Sequence, residues 1–138
     1  MENVEKYELT ILFEIYRDWI SEIDFYQNEI DFLEELLSQH LIAIKKPAYN
    51  NISDQLIQNI TQIKALLIHI KSIIYTQNKL LSVIIENNSR GEDTFEKNHL
   101  LLMADFKNLI NKVKEIKLSV YTILKDVLKK NKQKRLIQ

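Results

Sequence analysis

The chain has 138 residues, with nineteen basic and nineteen acidic side chains, so its formal net charge is zero. At 46% hydrophobic and 28% charged residues it is neither a disordered chain nor a membrane-spanning one, and its wholly apolar runs fall far short of the ~20 residues that cross a bilayer. One Gly (Gly91), one Pro (Pro47) and no Cys mean few turns and exclude disulfides, thiolate nucleophiles and thiolate metal ligands. The length fits one domain. The start, Met-Glu-Asn-Val-Glu-Lys, lacks the basic and apolar regions of a secretory leader, so the cytoplasm is the expected compartment. The abundance of Ile, Lys and Asn fits an A+T-rich bacterial coding sequence.

The first predicted helix covers about residues 3–45. Leu9, Leu12, Tyr16, Trp19, Ile23, Tyr26, Ile30, Leu33, Leu37, His40 and Ile44 alternate at spacings of three and four. This is the stripe of a helix held near 3.5 residues per turn. Pro47 disfavours helical geometry at Lys46 and ends the run. Beside the main stripe lie Ile15, Phe25, Phe32 and Leu36, at heptad positions g and c. An apolar face of that width asks for at least two neighbours and makes these four residues the candidate interface with a partner protein or a second copy.

After a turn at 47–52, with Asn50, Asn51 or Ser53 as helix cap, the second helix is expected over about 53–86. Leu56, Ile60, Ile63, Leu67, Ile70, Ile74, Gln77, Leu81 and Ile84 repeat the alternation, and Leu66, Ile73 and Leu80 widen it. Its isoleucines would suit a strand, but a three–four spacing kept over some thirty residues decides for helix. Asn87 to Asp93 reads as a loop, and Asp93 with Glu96 reads as a capping box.

The third helix is expected over about 94–130. Its stripe is Phe95, His99, Leu102, Phe106, Leu109, Val113, Ile116, Val120, Ile123 and Val127, with Met103, Ile110 and Leu124 beside it. Residues 129–138 read as a solvated, fraying basic tail. Three long helices joined by short loops give an all-α fold. It is an antiparallel up-down-up bundle with heptad-like packing, open to completion by a second chain.

Charge is segregated along the chain. Residues 1–44 carry eleven acidic side chains against two basic, and residues 94–138 carry eleven basic against four acidic. The first and third helices run parallel in this topology, so their opposite charges can flank a shared seam and set register. The alternative is a basic face for nucleic acid or anionic lipid. Lys125, Lys129, Lys130, Lys132, Lys134 and Arg135 would carry it, extended by Lys107, Lys112, Lys114 and Lys117. The acidic helix would partly cancel that field, and a single Arg among the candidates is poor provision for reading bases.

Chemistry finds little support. The topology separates His40, His69 and His99. Glu96-x-x-His99 has the spacing of carboxylate-bridged di-iron bundles, but the second such pair is missing. His69 lies mid-helix, as a phosphorelay histidine would, without an evident small neighbour to give a phosphoryl group room. Tyr16, Trp19 and Tyr26 could line an apolar ligand pocket, though aromatics at this spacing serve a core equally well. No phosphate-cradling loop or nucleophile elbow is present. The expectation is a protein without enzyme activity, cofactor or metal that works by protein–protein association, as a homo-oligomer or a small adaptor.

Overall fold

The computed structural model describes residues 2–40, 49–87 and 92–137. It consists of three helices, α1 (Glu2–Gln39), α2 (Asn50–Asn87) and α3 (Glu92–Ile137), all packed on one another. This is the antiparallel three-helix bundle. No helix among the described residues is long and apolar enough to cross a membrane. The expected end of the first helix, with Ile44 and Pro47, lies outside the described residues.

The three stripes meet as one core. Every α2 stripe residue from Leu56 to Ile84 is buried, as are Tyr16, Ile23, Ile30, Leu33 and Leu37 of α1 and the α3 stripe from Leu102 to Val127. Each fully buried Ile or Leu contributes roughly 1.5–3 kcal/mol by leaving water, which offsets the entropy of ordering long helices. Leu66, Ile73, Leu80 and Ile110, beside the stripes, are half-buried against the core.

Helix starts differ from the sequence expectation. α2 begins at Asn50, and the amide of Ser53 bonds the carbonyl of Tyr49 at 2.8 Å. Ser53 is therefore a buried residue inside the first turn and not a cap. α3 begins at Glu92, which puts Asp93 within its first turn. There a carboxylate suits the positive end of the helix dipole. At the other end α3 stays helical to Ile137, where a fraying tail was expected. Helical hydrogen bonding needs no apolar stripe, and Lys and Gln are good helix formers.

Ion pairs fix which flank of each helix faces which neighbour. Lys64 of α2 reaches Glu34 at 3.1 Å and Asp31 at 3.5 Å, and Lys71 reaches Asp24 at 2.5 Å. Lys117 of α3 reaches Glu29 at 2.6 Å. One flank of α1 thus faces α2 and the opposite flank faces α3. The acidic excess of α1 is answered by lysines of α2 as well as by the basic third helix.

Candidate functional site

Position in the heptad decides what becomes of the four interface candidates. Ile15 and Leu36, at g, are half-buried and packed against the core. Phe25 and Phe32, at c, lie one step further round the same flank and stay 59% and 53% exposed. Phe25 rests edge-on against Tyr26, ring centroids 6.1 Å apart, and is otherwise open to solvent.

The flank of α3 that carries Lys117 faces this side of α1. Seven-residue steps and their neighbours on that flank hold Leu100, Met103, Tyr121 and Leu128, each about half exposed or more. The register is set by Trp19 stacked on Phe106 at 4.8 Å and by Glu29 beside Lys117. At that register Phe32 stands at the height of Tyr121, and Ile11 near Leu100. The α1–α3 seam is the thinnest of the three. Above it stand exposed aromatic and aliphatic groups, Ile11 and Leu100 at the lower end and Phe25, Phe32 and Tyr121 higher up, with Asp18, Lys107 and Lys114 in the same rows between them.

The other two grooves are lined differently. Between α2 and α3 one hollow is bordered by Asn59, Gln62, Lys112, Glu115 and Ser119. A second includes His69, Ser72, Thr76, Asn98 and Asp105. The groove between α1 and α2 is bridged by the pairs of Lys64 and Lys71. Exposed apolar groups also stand beside these grooves, Ile68 and Tyr75 next to Lys71 and Leu101 next to His69, but the two exposed phenylalanines belong to the α1–α3 face.

The basic candidates divide. Lys117 is paired with Glu29, and Lys130 with Asp126 at 3.3 Å. Lys130 also lies 4.9 Å from the centre of the Tyr49 ring, whose hydroxyl donates to Asp126. That hydrogen bond, reinforced by Lys130, holds the Asp126 carboxyl below its ordinary range. Lys125, Lys129, Lys132 and Arg135 are exposed on the last turns of α3, and the side chain of Lys134 lies outside the described residues.

The histidine candidates are dispersed. His69 is exposed, and His40 stands half-buried at the far pole. His99 enters a cluster that sequence reasoning did not assemble. Its ring stacks on Trp19 and on Phe95, with centroids at 5.9 and 6.1 Å, and its Nδ1 is 2.6 Å from the Tyr16 hydroxyl. Buried Gln77 donates from Nε2 to the Phe95 carbonyl at 3.2 Å and to the Tyr16 oxygen at 3.4 Å. A carbonyl can only accept, so the amide orientation is settled. The Tyr16 oxygen accepts from Gln77, and its hydroxyl shares a second hydrogen bond with Nδ1 of His99. Burial pushes the pKa of His99 down and that of Tyr16 up, which keeps both neutral. The signal was available: Tyr16, Gln77 and His99 are the polar interruptions of their three stripes near one pole.

Among the described residues no three His, Asp or Glu side chains gather where they could hold a metal ion. Glu96 is exposed, while His99 has its Nδ1 engaged by Tyr16. Tyr16 and Trp19 pack on their aromatic neighbours as core. Comparison of the chain with protein-family models, with curated proteins and with solved structures returns no match.

Proposed function

We propose that this chain acts by protein–protein association, without catalysis of its own, and that the α1–α3 face is its binding surface. The observation that carries this reading is the exposure of Phe25 and Phe32 above a seam whose own core is already closed by Ile15 and Leu36. Two aromatic rings left about half exposed on a rigid helix each forgo roughly 1–2 kcal/mol of burial, and a partner that covers them recovers it. A surface strip of this kind fits a homo-oligomer or an adaptor.

The test is site-specific photo-crosslinking in the cells that make the protein, with p-benzoylphenylalanine replacing Phe32 and, as control, exposed Gln58 of α2. A discrete adduct from position 32 and none from position 58 is expected. No adduct from position 32 would dispose of the reading.

A second reading rests on the end of α3. Among the described residues Val127 is the last that is buried, and Lys129, Lys132 and Arg135 follow it, exposed, on a continuous helix. Binding to DNA, RNA or anionic vesicles at low salt, lost on removal of residues 129–138, is its measure. Absence of binding at low salt eliminates it.

A further inference from the structure

We infer that the occupant of the α1–α3 face is a second copy of this chain, laid face to face about a two-fold axis. The inference rests on the association reading above and names its partner.

The charges within the strip carry the argument. Its α1 border holds Asp18, in the row of Phe25 and Phe32, and Glu22; its α3 border holds Lys107 and Lys114, in the row of Leu100 and Tyr121. None of the four makes an ion pair with a described residue. On the α1–α2 side Asp24, Asp31 and Glu34 are paired within the chain, through Lys71 and Lys64. The register fixed by Glu29 beside Lys117 places Asp18 and Glu22 at the same height of the bundle as Lys107 and Lys114.

A surface with one acidic and one basic border is complementary to itself. A two-fold axis running through the strip sets the acidic border of each copy on the basic border of the other, on both sides at once. A uniformly charged partner, acidic or basic, would meet repulsion along one border.

The dimensions agree with this. From Ile11 to Phe32 the strip rises about 30 Å, and two adjacent helices are about 20 Å wide. The footprint is on the order of 600 Å² per copy, at the lower edge of what specific interfaces bury. Phe25, Phe32 and Tyr121 supply the aromatic anchors in its upper half. The pairing is that of a three-helix bundle shared into a six-helix one, with the widened face of α1 buried at last.

The experiment is a charge swap in the full-length chain. One variant carries Asp18→Lys and Glu22→Lys, which makes both borders basic. The other carries Lys107→Glu and Lys114→Glu, which makes both acidic. All four positions are exposed, and far-UV circular dichroism with thermal unfolding confirms that each variant folds. Sedimentation equilibrium of the unchanged chain should give twice the chain mass at micromolar concentration. Each variant alone should self-associate more than about tenfold more weakly, because like charges then face each other along both borders. An equimolar mixture of the two should recover the dimer at low salt.

A monomeric unchanged chain, or variants that dimerise as well as it does, would overturn the second-copy assignment. So would a mixture that stays monomeric. Failure here and failure of the association reading are told apart by the Phe32 crosslink. An adduct of a different mass leaves association standing and removes the second copy, whereas no adduct removes both.

Discussion

The hydroxyl of Tyr16 of α1 is hydrogen-bonded to Nδ1 of His99 of α3 across 2.6 Å, joining positions 83 residues apart beneath the stacked ring of Trp19. Gln77 of α2 completes the triad from the third side. One polar residue from each helix is thereby satisfied at one level of an otherwise apolar core. A sliding stripe of isoleucines and leucines has many near-equivalent registers. A buried hydrogen-bonded set at one level selects among them.

Replacing Tyr16 by Phe should therefore cost about 1–2 kcal/mol, because a buried amide hydrogen of Gln77 and the His99 Nδ1 both lose a partner while the ring volume is kept. Urea denaturation followed by circular dichroism measures this. An unchanged midpoint would show that the triad contributes nothing to stability.

His99 should give the fold a pH dependence of known sign. Its pKa in the folded chain lies below the ordinary value of 6.5, through burial, so the unfolded chain binds the proton more readily. Stability is then full above about pH 6.5 and falls as pH drops from there through the folded value. Thermal melts at pH 7.5 and 5.5 should show a lower midpoint in acid. The variant His99→Gln, which keeps an acceptor for Tyr16, should lose much of that difference. A melting temperature equal at both pH values contradicts the assignment.

Core and face residues of the same helix should respond oppositely. Ile30 is fully buried, and Ile30→Ala should cost about 2–4 kcal/mol through lost transfer energy and an unfilled cavity. Phe32, two residues on, is 53% exposed, so Phe32→Ser should leave the unfolding free energy of the isolated chain within about 0.5 kcal/mol. Its effect should appear in association. Parallel denaturation and light-scattering series on the two variants separate these roles.

Asn78 lies on the flank of α2 that carries Lys64 and Lys71 towards α1, and its side-chain oxygen is buried without a hydrogen-bond partner among the described residues. Such an acceptor has given up water for nothing. Asn78→Leu, close to it in size, should raise stability by about 1 kcal/mol. A lower midpoint for this variant would mean that the amide serves some interaction the leucine cannot supply.

The linear order of residues determined the helices, their number and their core faces. Side chains spaced by three and four must fall on one stripe, and stripes of equal length joined by short connections can only fold back on one another. The tertiary structure decided what depends on relative rotation and height. Ile15 and Phe25 both read as extra apolar residues on α1. Only the closeness of α3 shows that a g position is drawn into the core while a c position stays in water.

Composition likewise assigned the acids of α1 to the basic third helix, yet Asp24 and Glu34 are answered by Lys71 and Lys64 of a nearly neutral α2. An ion pair needs two side chains within 4 Å, and net charge carries no distance. Tyr16, Gln77 and His99 were visible as polar breaks in three separate stripes. That they form one hydrogen-bonded triad follows only from the heights at which the helices stop sliding past each other, and close packing sets those heights.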